Sequence, residues 1–423
     1  MIKNHTGSSR GSLTYNAYNP ALEGLRGLAA LFVLYGHFFY RDRFLDPGYQ
    51  PSAGWGHLSA TRGAVLLFFV LSGYLIGITN KSSFSQAKAK DYLKRRAVRL
   101  YFIYLVALVV TIFAHRGDGW PTVLGNLFFL QNFDAYFGWV LLPLTANPPL
   151  WSLNYEVLYY LIFLLVWRFR PNFVFLFLTL AVISALPWLS LGFPDFVAAY
   201  STGFVFWVSG LYLAWQAPSV PTVPRRPHFS NVSLVLFLVA LDNFQVLHVV
   251  LKAMGFRPDY VSIVDFSQLF SLPLCLMLLA NVTGRSLPYL PLMVWLMHGV
   301  VGLLIAYLWV SQRLFTEWRW MLGTLFSVCS LLTARMFIWD AWLVRFSQLG
   351  KISFAVYVLH HPIIVLVHDY FPYAGNGWSF TARMLVVIGV TLLLSYLLEV
   401  LIQPKIKAYL LPVRRVEEMK KAG

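Results

Sequence analysis

Apolar residues run along this chain in blocks of about 20, the length needed to cross the ~30 Å hydrocarbon core of a bilayer as a helix. The blocks lie near 22–40, 63–79, 98–114, 152–168, 172–191, 200–215, 232–251, 265–281, 290–310, 320–339, 353–368 and 382–403. They predict an all-α fold, a polytopic bundle of about 10–12 transmembrane helices. One stretch, 120–149, breaks the pattern. Asn126, Gln131, Asn132, Asp134 and several prolines interrupt its apolar residues, so it reads as an extramembrane or re-entrant segment. The organisation expected is a polar N-terminal tail (1–20), one membrane unit (21–403) and a basic C-terminal tail (404–423). The first block is too long for a cleaved signal h-region.

The polar positions between the blocks set an orientation. With the N-terminus inside, the inner loops hold Lys81, Lys88, Lys90, Lys94, Arg95 and Arg96, then Arg168 and Arg170, Arg225 and Arg226, Arg285, and Arg345 with Lys351. The tail with Lys405, Lys407, Arg414, Arg415, Lys420 and Lys421 falls inside too. Outer loops 192–199 and 369–381 carry no Lys or Arg, while loops 41–62 and 311–319 are mixed. The bias predicts both termini in the cytoplasm. Composition agrees with a membrane protein: 58% hydrophobic, 12% charged, mean hydropathy +0.64. The net charge of +16 then belongs to basic loops facing anionic lipid. No compact basic domain exists to bind nucleic acid. Cys275 and Cys329 lie in apolar blocks and form no metal-ligand spacing, so no metal is expected.

Ionisable groups inside the blocks are the exceptions that need a reason. Arg26 and His37 stand eleven residues apart in the first block. Eleven residues make three helical turns plus ~20°, so both side chains share one face, ~16 Å apart along the axis. A permanent cation suits phosphate and a histidine suits proton transfer; an interfacial anchor with a packing histidine is the alternative. Ser72 and Gly73 form a small-residue notch in a bulky block, for packing or for a ligand. Arg95, Arg96 and Arg99 gather at one mouth, where they could grip a phosphorylated ligand or lipid headgroups. Trp151 and Ser152 open a block after Pro148 and Pro149, with Ser152 a good capping type. Glu156 follows about one turn on. The topology puts it in the leaflet of His37, where it could orient the imidazole. Tyr357, His360 and His361 precede Pro362 in a late block. Adjacent histidines point ~100° apart and make a poor metal pair.

In this order, these elements resemble acyltransferase family 3, integral membrane enzymes that O-acylate surface polysaccharides, O-antigen, Nod factors and some antibiotics. The resemblance covers residues ~20–400 and rests on Arg26 with His37; Phe68, Phe69, Ser72 and Gly73; Arg95, Arg96 and Arg99; Trp151, Ser152, Leu153 and Glu156; and Gly350, Ser353, Tyr357 and His360. The sequence departs from the family pattern at Phe102, Phe354 and Val358, and it resembles the stand-alone form without an esterase-like domain. The resemblance implies a multi-pass inner-membrane O-acyltransferase with acyl-CoA, in the first place acetyl-CoA, as cytoplasmic donor. The acceptor implied is a hydroxyl of a carbohydrate, free or lipid-linked. Arg26, Arg95, Arg96 and Arg99 would hold CoA phosphates. His37 would be general base, with Glu156 orienting it. Ser72, Trp151, Ser152, Tyr357 and His360 would line the substrate pocket. A transporter or flippase of a lipid-linked sugar is the alternative that buried Arg, His and Glu also fit.

Overall fold

The computed structural model describes residues 19–39, 44–131, 142–189, 193–216, 228–256, 264–285 and 287–411. Most of the expected N-terminal tail, much of the basic segment 216–230, Asn132 and Asp134, and the last part of the basic C-terminal tail lie outside the described residues. The described chain is helical, without strands: α1 Pro20–Phe38, α2 Thr61–Thr79, α3 Gln86–Ala114, α4 Trp120–Leu127, α5 Trp151–Phe169, α6 Phe173–Ala185, α7 Asp195–Trp215, α8 Asn231–Phe244, α9 Val246–Ala253, α10 Leu272–Thr283, α11 Leu290–Val310, α12 Trp318–Thr333, α13 Ser347–Lys351, α14 Ser353–Tyr370, α15 Gly377–Tyr396 and α16 Gln403–Leu410.

Among the described residues, eight helical stretches are long and apolar enough to cross a membrane. The number is nine if the pair Asp340–Lys351 and Ser353–Tyr370, bent by 67°, counts as one span. This is fewer than the blocks in the sequence, for local reasons. The block at 22–40 forms α1, 19 residues long, but Glu23, Arg26 and His37 dilute its apolar character. The block at 172–191 gives a helix of only 13 residues that tightens into a 3₁₀ turn at Leu186–Leu189. The block at 320–339 gives a helix of 16 residues. The interrupted stretch 120–149 begins as the short α4, and its buried Asn126 donates to the carbonyls of Thr122 and Leu142.

Helix starts follow side-chain chemistry. Asn19 accepts from the backbone N–H of Ala21 and Leu22, with Pro20 at the first helical position. Ser85 caps α3 and Asn376 caps α15 in the same way. The helices then pack most extensively as α2 on α7 and α8 on α12, with α14 placed against α1, α3 and α15. Large apolar side chains on α11 and α15, such as Leu303, Leu385 and Leu393, face outward. Such a band is what a lipid-facing surface requires.

Glycine sets the closest approach. A Cβ at Gly73 would overlap the carbonyl oxygen of Trp207, and one at Gly210 would overlap that of Val70. Gly73 and Gly77 form a G-x-x-x-G pair on α2 that lets the α7 backbone come close. Gly73→Leu should therefore separate α2 from α7, and a strong fall in folded, detergent-extracted protein on size-exclusion chromatography is expected. Wild-type yield would contradict this packing.

Candidate active site

One cavity draws on five helices. It spans about 750 Å³ of space between atoms, part of it open to solvent. Arg26 reaches it from α1, Phe68 and Ser72 from α2, and Arg96 and Arg99 from α3. Ser152, Glu156 and Tyr160 come from α5, and Ser353, Phe354 and Tyr357 from α14. Val65, Leu71, Leu75 and Leu100 give it apolar walls. The cavity is therefore a mixed site, with three guanidinium groups and one carboxylate lining an otherwise apolar space.

Most of these polar groups are held. Arg26 pairs with Glu23 one turn back at 3.1 Å. The Arg96 guanidinium lies over the rings of Tyr160 (5.5 Å) and Tyr92 (5.7 Å), a cation–π arrangement that fixes its direction. Glu156 Oε1 accepts from Ser72 Oγ at 2.9 Å and from the Tyr160 hydroxyl. The Trp207 indole N–H donates to Ser72 Oγ at 3.3 Å. Tyr357 donates to the carbonyl of Pro149 at 2.8 Å and meets Ser152 Oγ at 2.6 Å. Ser152 is thus the second residue of α5, tied to α14 rather than serving as a cap; a 3₁₀ turn at Pro148–Leu150 leads into the helix instead.

α14 links this cavity to a histidine cluster. Its first residues, Ser353 and Phe354, line the cavity, and Glu399 from a π-helical turn, Leu397–Ile402, accepts from the Ala355 N–H at 2.9 Å. Tyr357 comes one turn on, and His360 the next. His360 Nε2 lies 3.3 Å from His37 Nδ1, and the two rings are 4.9 Å apart. His361 sits edge-on to His37 at 5.7 Å and contacts the Ala146 carbonyl through Nδ1 at 2.9 Å. Pro362 lacks an N–H and so leaves the Val358 carbonyl without its helical donor. Asn147 Nδ2 supplies the missing bond at 2.9 Å. Asn147→Ala should orphan that carbonyl within the bundle and cost ~1–3 kcal/mol, read as a lower Tm of the purified protein. An unchanged Tm would contradict this bond.

Most of the residues singled out in the sequence meet in these two clusters. Arg26, Ser72, Arg96, Arg99, Ser152, Glu156 and Tyr357 share the cavity, while His37 and His360 share the histidine cluster. Arg95 does not line the cavity: Arg96 and Arg99 are three residues apart on one helix face, and Arg95 is turned ~100° away, where it pairs with Asp91 in solvent at 2.5 Å. Trp151 packs on Tyr155 beside the site and is not among the lining residues. His360 reaches a ring nitrogen of His37, whereas Glu156 is bonded by Ser72 and Tyr160 in the cavity with the arginines. Sequence reading missed Tyr160, one turn after Glu156 and within reach of it, and Trp207, Asn147 and Glu399, whose roles depend on distant helices.

The model of the acyltransferase domain family matches residues 19–400, nearly the whole chain. The chain belongs to acyltransferase family 3. The match makes it a membrane acyltransferase; within the matched residues, Arg26 and His37 of α1, Ser72 of α2, and Ser152 and Glu156 of α5 help build the two clusters. No curated protein and no solved structure matches the chain.

Proposed function

We propose that this acyltransferase moves an acetyl group from acetyl-CoA, held at the arginine cavity, to a hydroxyl of a surface carbohydrate. The observation that carries the reading is the cavity itself: Arg26, Arg96 and Arg99 converge there on an apolar chamber. Guanidinium groups match phosphate by paired N–H donors, and the apolar walls suit an extended pantetheine arm. The loop charges favour a cytoplasmic opening, where acyl-CoA is found. Glu156 then serves as a wall of the donor site, its carboxylate placed to accept from an amide N–H of the arm.

The arm has ~16 Å to cover between the levels of Arg26 and His37 on α1. At the histidine level the acceptor oxygen attacks the thioester carbonyl. His37 takes the hydroxyl proton, the C–S bond breaks, and the proton passes to the departing thiolate. The acceptor enters from the histidine side, the outer side by loop charge. Deleting the gene and analysing surface glycans by mass spectrometry tests the reading. Loss of the mass increment of an acetyl ester, restored by the wild-type gene, is expected. An unchanged acyl pattern with altered glycan export would instead favour transport of a lipid-linked sugar.

A further inference from the structure

Each of the three imidazoles of the histidine cluster has its Nδ1 against a backbone carbonyl. His37 Nδ1 lies 2.7 Å from the Val33 carbonyl, and His360 Nδ1 lies 3.1 Å from the Val356 carbonyl, each four residues back on its own helix. His361 Nδ1 contacts the Ala146 carbonyl in the same manner. A carbonyl only accepts, so each Nδ1 carries a proton. In neutral His360 the lone pair is then on Nε2. That atom faces His37 Nδ1 at 3.3 Å.

We infer that His360 is a positioning residue that orients the His37 ring and supports its protonated form, beside the Val33 carbonyl that holds the proton on Nδ1; the sequence pattern alone gave the orienting role to Glu156. The inference rests on the reading of His37 as general base. The His37 Nδ1–H is shared between two acceptors, the Val33 carbonyl and His360 Nε2. Its basic nitrogen is therefore Nε2. When Nε2 takes the hydroxyl proton, the Nδ1–H of the resulting imidazolium keeps both acceptors. His360 gains no proton in the step. A neutral imidazole thus does what a buried carboxylate does in a Ser-His-Asp triad. It avoids placing a second charge in the membrane interior, where charge is expensive. His360 is fully buried, and Tyr357, one turn earlier with its ring 6.0 Å away, ties the same helix to the donor cavity.

Three variants of the full-length protein in lipid nanodiscs test this, with acetyl-CoA as donor and surface glycan from the deletion strain as acceptor. In His360→Gln the amide can reach the position of Nε2 and accept from His37. His360→Asn is polar but too short, and His360→Leu removes the acceptor. Removing the orienting partner of a catalytic histidine costs up to about 10⁴-fold. Here a fall in kcat of about 10²-fold for Asn and Leu is expected, with the acetyl-CoA KM within about twofold and Gln within about tenfold of wild type. Wild-type kcat in His360→Asn would overturn the assignment. So would equal losses in Gln and Asn, the mark of a packing role; this contrast decides the matter even if the Leu variant does not fold. A His37→Ala variant in the same assay separates the two ideas. If it keeps full kcat, the base reading fails; if it alone loses activity, only the role of His360 fails.

Discussion

Replacing His37 by alanine should remove acetyl transfer, lowering turnover by ~10²–10⁴, the range that a positioned general base contributes. The effect should fall on kcat, because His37 stands about three helical turns, ~16 Å, from Arg26 and does not line the arginine cavity. The donor KM should stay near the wild-type value. The variant should also still fold, since the ring is only partly buried and the surrounding helices carry their own contacts. Turnover by the His37→Ala protein would be measured as thiol release from acetyl-CoA in the presence of glycan. A fall smaller than tenfold, with normal protein yield, would remove His37 from the chemistry.

The second large effect separates adjacent arginines. Arg96→Ala should raise the acetyl-CoA KM by about 10- to 100-fold, the equivalent of losing one charge-assisted hydrogen bond of ~1.5–3 kcal/mol. Turnover at saturating donor should change little, because the interaction is made in the ground state as well as the transition state. Arg95→Ala should leave KM within about twofold. Its side chain is solvent-exposed and pairs with Asp91 on the same helix surface, and such a pair is worth ~0–1 kcal/mol. Donor titrations of the two variants side by side provide the measurement. Equal rises in KM would mean that the cluster acts as a diffuse positive field rather than through Arg96 in the cavity.

The contrast between these arginines shows what the sequence could and could not convey. Helix periodicity separates Arg95 from Arg96 and Arg99, but it does not say which face turns toward the protein; the packing of α3 against α14 decides that. Arg26 and His37 were legible as one face of one helix because both lie on α1. The partners of Glu156 were not: bonds from Ser72 on α2 and Tyr160 on α5 hold it in the cavity that the arginines line. His360 was visible as a polar residue in an apolar block, but its pairing with His37 spans 323 residues of chain. Pro362 was legible as a break; the side chain that answers it, Asn147, was not. Local signals thus survived the step from sequence to structure, and pairings between helices did not.

Among the described residues, fewer helices are long and apolar enough to cross a membrane than there are apolar blocks, for a related reason. A crossing needs unbroken helical length as well as apolar content. α6 and α12 are apolar but short. α1 has the length, but it spends three of its positions on Glu23, Arg26 and His37. Two of those three, Arg26 and His37, are candidate site residues.

The most direct test of the central claim is transfer itself by the purified protein. The full chain in lipid nanodiscs would be given acetyl-CoA labelled in the acetyl group together with surface glycan from a strain lacking the gene. The account predicts that label appears on the glycan as an alkali-labile ester, with one thiol released per acetyl transferred, and that both vanish in His37→Ala. Glycan that stays unlabelled while the wild-type protein is folded and supplied with both substrates would contradict it.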